Sequence, residues 1–238
     1  MPEQHTVKAF DDDINKLRGL IAEMGGRVEN AIDEAMTALV QQDEKKAKTI
    51  VANDQRIDAL EAEVERLVVQ IIALRAPMAD DLREVIAALK IVGVVERIGD
   101  YAKNIAKRVP KIGDHRTIEP ISLLPSMAQV ASEMVGDALN AFSARDALLA
   151  EAVVQRDAVV DSFYNSIFRT LVTYMVENPK TITECAHLLF IAKNIERIGD
   201  HTTNIAETIH YAVKGEVLPD TRPKGDASAF MVVRPAGD

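Results

Sequence analysis

"ERIGDYAKNIAK" spans residues 96–107, and "ERIGDHTTNIAE" spans residues 196–207. Glu-Arg-Ile-Gly-Asp is identical in the two, and Asn-Ile-Ala follows each copy at the same interval. A pentapeptide written twice in one chain marks an internal duplication, so each half is read against the other.

The periodicity around each copy is helical. In the first half Ile14, Leu17, Ile21, Met24, Val28, Ile32, Met36 and Leu39 recur at steps of three and four, which predicts a helix from about Phe10 to Gln41. Asp43 is the expected N-cap of a second helix, whose Ile57, Leu60, Val64, Leu67, Ile71 and Leu74 form a heptad-like seam. Pro77 closes that helix, and Asp80 or Asp81 is the expected cap of a third. The third helix carries Leu89, Ile91, Val95, Ile98, Ala102, Ile105 and Val109, ending near Pro110 and Gly113. The second half repeats the plan. Met127, Ala131, Val135, Ala138, Leu139 and Phe142 stand where Met24, Val28, Ile32, Ala35, Met36 and Leu39 stood, and Asp146 replaces Asp43. A second helix runs to Glu177, and a third from about Thr183 to Val213. The fold expected is therefore all-α: two tandem three-helix bundles related by an internal repeat. Their bounds are 1–112 and 120–215, with a linker at 113–119 and a flexible tail at 216–238. Short turns between long helices imply antiparallel neighbours.

Composition narrows the function. Of 238 residues, 47% are hydrophobic and only 4% aromatic, and the formal net charge is −9. An acidic chain without a basic block is unsuited to nucleic acid, whose phosphates need clustered Lys and Arg. The one cysteine, Cys185, excludes an intrachain disulfide. The N-terminus has no signal-peptide pattern, and the longest apolar runs are too short to span a membrane. The expected location is cytoplasmic, with no membrane insertion.

On a helix Asp100 falls about 40° from Glu96, one turn on, so the two carboxylates stack on the outward face. Glu196 and Asp200 do the same. Like charges so spaced cost about 0.2–0.5 kcal/mol, and a merely solvated face does better with alternating signs. Neighbouring exposed positions change between the copies, Lys103 and Lys107 becoming Thr203 and Glu207, while these carboxylates do not. A partner pair lies on each second helix: Asp54 and Asp58, then Asp157 and Asp161. Beyond them the halves diverge, Glu61 matching Tyr164 and Glu65 matching Phe168. If the pairs face each other, four carboxylates converge in each half, and such a cluster repels itself unless cations or protons are taken up. All-oxygen ligands favour Mg²⁺, Ca²⁺, Mn²⁺ or iron. Gly99 and Gly199 imply either close approach of another backbone or tight helix packing within a bundle. Arg97 and Arg197 either orient the carboxylates or make ordinary contacts along the helix. Most of the five histidines are expected on the surface.

"ERIGDYAKNIAK", "NPKTITECAHLLFIAKNIERIGDHTTNIAE" and "ALRAPMADDLREV" closely resemble the PhoU family of phosphate-signalling proteins, over about residues 10–215 with both halves in order. The resemblance implies two three-helix bundles that bind metal clusters through E/D-x-x-x-D motifs. The implied ligands here are Glu96, Asp100, Glu196 and Asp200, with Asp54, Asp58, Asp157 and Asp161 as partners. The ions would be divalent or trivalent, such as iron, Mg or Mn. The resemblance also implies a non-enzymatic negative regulator of phosphate uptake and of the phosphate-starvation response. Its implied partners are the ATPase subunit of a phosphate ABC transporter and a sensor histidine kinase, which would bring it to the inner face of the membrane; a homodimer is among the assemblies allowed. Two features depart from the family pattern: Val94, where the family often has a polar residue, and a tail running past Gly215. Two other classes compete, a carboxylate-bridged metal-storage protein or metalloenzyme, and a metal-free helical scaffold.

Overall fold

A computed structural model describes residues 2–112 and 119–218. Among these residues the regular elements are helices: α1 (Pro2–Gln41), α2 (Glu44–Asn53), α3 (Gln55–Arg75), α4 (Ala79–Ala106), α5 (Leu123–Ala144), α6 (Ala147–Glu177) and α7 (Ile182–Lys214), with short 3₁₀ turns between some of them. Most of the expected linker, residues 113–118, and of the tail, from 219 on, lies outside the described residues.

The two halves turn their first corner by the same local chemistry. Gln42 and Arg145 adopt left-handed backbone, with φ of 54° and 53°. The next amide reaches back five residues, Asp43 N–H to Ala38 O and Asp146 N–H to Ala141 O, both at 2.9 Å. This pattern satisfies carbonyls that the helix end would orphan. Asp43 then accepts from Lys46 N–H, and Asp146 from Leu148 and Leu149 N–H, so each aspartate starts the following helix as expected.

Three boundaries differ from the sequence reading. α1 begins at Pro2, well before its apolar stripe; proline suits a helix start because its missing N–H is unpaired there anyway. The expected second helix is broken into α2 and α3 at Asp54. Backbone there stays right-handed (φ −54°, ψ −37°), but Ile57 N–H bonds Asp54 O at 2.8 Å, an i→i−3 bond that tightens one turn. At α4 the cap is Met78, in extended backbone, and Asp80 and Asp81 lie inside the first turn. There they favour the positive end of the helix dipole without capping it.

α1, α3 and α4 form one bundle, covered at one end by α2, and α5, α6 and α7 form the other. The halves meet through α1 against α5 and α4 against α7, and their buried side chains make one continuous core. Its largest fully buried members include Leu17, Met24, Ile32, Ile98, Ile105, Met127 and Met134. Burial of each such side chain stabilises by about 1.5–3 kcal/mol. Where α1 crosses α5, a Cβ on Gly25 would lie 2.1 Å from Leu139 Cδ1, so a larger residue there would have to push the Leu139 tip aside. α4 and α7 are antiparallel, with contacts at Tyr101–His201 and Arg83–Ala212, and at Arg108–His187 just past the end of α4. An ion triad also ties the halves together. Glu84 of α4, 5% exposed, is held by Arg18 of α1 and by Arg145 at the α5–α6 corner.

Candidate metal centre

In each half the doubled motif faces the preceding helix along a seam, α3–α4 in the first bundle and α6–α7 in the second. The motif carboxylates are less open than an outward face implies: Glu96, Asp100 and Asp200 are half-buried, and Glu196 is 4% exposed.

The first seam divides its carboxylates into two groups. Asp54, buried at the α2–α3 break, is bonded by the ammonium of Lys103, which also bonds Asp100. Burial pulls the Lys103 pKa down, but hydrogen bonds and charge contacts with Asp100 and Asp54 outweigh it and hold the ammonium charged. Asp58 is exposed and belongs to a different set. Burial pushes the Glu96 carboxyl above the ordinary glutamate range, and the charges of Asp100, Glu61 and Asp58 push the same way against Lys103. Burial raises Glu61 too, helped by Glu65, Asp58 and Asp100. Asp58, Glu61, Glu96 and Asp100 thus share one negative field. Glu61 is the residue the halves' divergence concealed. It lies three residues after Asp58, on the same helix face, and its Oε1 would be 3.6 Å from a Cβ on Gly93 of α4.

The second seam is more enclosed. Asp157 and Asp161 are 3% and 6% exposed. A Cβ on Gly199 would lie 2.7 Å from Asp157 Oδ1, so the motif glycine is what lets this carboxylate lie against α7. In the first half a Cβ on Gly99 would lie 3.0 Å from Ile57 Cδ1. Both glycines therefore serve side-chain packing within a bundle, not the approach of another backbone. Lys193 donates to Glu196 Oε1 at 2.7 Å and lies 4.9 Å from the Tyr164 ring centroid.

The arginines of the motif turn to the opposite bundle. Arg197 lies 5.9 Å from the Tyr101 ring centroid, and Arg97 is near enough to His201 to depress its pKa after burial has done so. Tyr101 hydroxyl and His201 Nε2 share a hydrogen bond of 3.1 Å. His201 and His187 are half-buried and His210 is 8% exposed, against the surface expected for them. Val94, the departure from the family pattern, packs against the core.

The donor chemistry suits a hard cation: the acids named in both seams bring carboxylate oxygens, and Gly199 leaves a cradle for one of them. Among the described residues, no three Asp, Glu, His or Cys side chains stand as they are around a single ion position. In both seams a lysine ammonium already bonds a motif carboxylate.

Fold and seams define a class: a duplicated three-helix-bundle protein with an acidic seam in each half. The PhoU domain matches residues 21–109 and again residues 124–209. A Zymomonas mobilis protein named phosphate-specific transport system accessory protein PhoU homolog is 53% identical over 221 residues, 92% of this chain and 93% of that protein. A Caulobacter vibrioides protein of the same name is 44% identical, over 94% of this chain and 97% of its own. The crystal structure of PhoU from Pseudomonas aeruginosa superposes with a TM-score of 0.82 at 35% identity, covering 87% of this chain and all of that one. That of the phosphate transport system regulatory protein PhoU from Streptococcus pneumoniae gives 0.82 at 27% identity, over 88% and 99%. The chain belongs to the PhoU family.

Proposed function

We propose that this chain restrains phosphate uptake and the phosphate-starvation response by binding other proteins, without catalysing a reaction. Its partners in this reading are the ATPase subunit of a phosphate ABC transporter and a sensor histidine kinase, met at the cytoplasmic face of the membrane. The observation that carries the reading is the match of both repeats to relatives named as accessory proteins of phosphate-specific transport. Among the described residues no helix is long and apolar enough to cross a membrane, which agrees with recruitment through partners. Restraint is then a population shift: binding favours the restraining state of each partner by the difference in affinity for its two states.

The seams supply the metal-binding part of the proposal. Asp58, Glu61, Glu96 and Asp100 would hold an ion in the first bundle, with Asp54 beside them, and Asp157, Asp161, Glu196 and Asp200 in the second. A bound Mg²⁺, Mn²⁺ or iron ion would neutralise the mutual repulsion of these groups. One observation favours the competing metal-free scaffold: Lys103 and Lys193 already bond motif carboxylates. A deletion strain tests the regulatory reading. Expected are phosphate-starvation genes active in phosphate-rich medium, and recovery of transporter ATPase or kinase with the tagged protein. Normal repression and normal uptake in that strain, with neither partner recovered, would overturn it.

A further inference from the structure

The two halves neutralise their seams from different positions. Lys103 of α4 bonds both Asp54 and Asp100, whereas its counterpart Thr203 gives its hydroxyl to the backbone oxygen of Asp200, at 2.7 Å. Lys193 of α7 bonds Glu196, whereas its counterpart in the first half is Gly93, against which Glu61 rests. Duplication has kept the carboxylates and moved the cation. In each half a lysine bonds a motif carboxylate, set three residues after Asp100 in one and three before Glu196 in the other. Both are partly sheltered, with 21% and 34% of their side chains exposed, and each contacts a carboxylate assigned above to an ion.

We propose that Lys103 and Lys193 are resident counter-cations, and that each seam accepts a metal ion only as its lysine withdraws. The inference rests on the reading that the seams bind metal. Its physical basis is competition: an ammonium and a divalent ion draw on the same carboxylate charge, and two cations a few ångströms apart repel. The lysine stabilises the metal-free bundle against its clustered acids, and that same contact weakens the site for metal. In the first bundle the coupling reaches further. Lys103 and Asp54 both line a cavity of about 150 Å³, together with Arg27, Asn53 and Arg56 at the α2–α3 break. Withdrawal of the ammonium would free Asp54 there, so metal uptake at α4 would be felt by α2.

The test is titration of full-length, metal-free protein with Mn²⁺, with site assignment by loss of binding in Glu96→Gln. Lys103→Met should bind Mn²⁺ about tenfold more tightly than wild type, the effect of deleting one nearby unit charge at a partly exposed site. Its metal-free melting temperature should fall. Lys103→Arg, which keeps the charge, should restore wild-type affinity. Lys193→Met gives an independent measurement at the second seam should the first variant fold poorly. Opposite signs on affinity and metal-free stability would support the proposal, since a lysine with only a packing role would lower both. Mn²⁺ binding by wild type that is unchanged or weaker in both methionine variants would overturn the proposal and leave the metal reading standing. Binding by neither wild type nor the lysine variants would overturn both.

Discussion

At the scale of the residue, the clustered acids make a pH-dependent statement. Burial first, and then the neighbouring acids, hold the folded Glu96 carboxyl above its ordinary range, so folding weakens its ionisation relative to the unfolded chain. Stability from this group is greatest below the ordinary glutamate value and is lost as pH rises through the folded one. Glu96→Gln should therefore raise the melting temperature of metal-free protein at pH 7 by about 1–3 °C, and the gain should shrink toward pH 4.5. Melts in chelator across that range measure it; an equal or lower melting temperature at pH 7 would deny the repulsion. The same seam predicts that Glu61→Gln loses Mn²⁺ affinity in the first bundle, although its counterpart Tyr164 has no charge. Gly199→Ala separates stability from binding. Alanine is better than glycine in a helix by about 1 kcal/mol, so the fold should survive while the Asp157 carboxylate swings off the new Cβ. Expected are a melting temperature within about 3 °C of wild type and lost Mn²⁺ binding at the second seam. Unaltered binding there would show that Asp157 is not a ligand.

At the scale of the element, the ion triad on Glu84 joins α4 to α1 and to the α5–α6 corner. Removing the charge of a carboxylate this buried leaves two guanidinium groups without their partner. Glu84→Gln should cost about 1–3 kcal/mol in denaturant unfolding. An unchanged midpoint would reduce the triad to a surface contact. The contrast between this triad and the helices shows what a sequence discloses. The apolar stripes and the caps at Asp43 and Asp146 are local patterns, legible because helix period and turn chemistry act over a few residues. Asp54 gave no such sign of the α2–α3 break, having neither proline nor glycine beside it and keeping right-handed backbone. Glu84 meets its partners from 61 and 66 residues away, a distance at which no periodicity speaks. The site was legible in part. The spacing of the acids located both seams, but not the division of Asp54 from Asp58, nor the lysines, since a charged residue's partner is set by packing.

At the scale of the whole molecule, two similar bundles share one core through α1 against α5 and α4 against α7. Duplication placed the motif helices antiparallel in contact, so the two seams lie on one body yet are chemically unequal. One is rich in acids and partly open; the other is buried, with the Tyr164 ring against its lysine, Lys193. The chain's charge of −9 suits steering toward basic partner surfaces, so association with the ATPase subunit proposed as its partner should slow as salt rises. An association rate independent of ionic strength would assign docking to apolar contacts instead. The central claim, that each half owns a carboxylate seam for metal, is tested most directly by elemental analysis. Full-length protein purified without chelator is compared with Glu61→Gln/Glu96→Gln and with Asp161→Asn/Glu196→Gln. The account predicts metal in the wild type, loss of a separate share of it in each double variant, and a helical circular dichroism spectrum in all three. Metal content unchanged in both variants, or a wild type free of metal in every preparation, would contradict it.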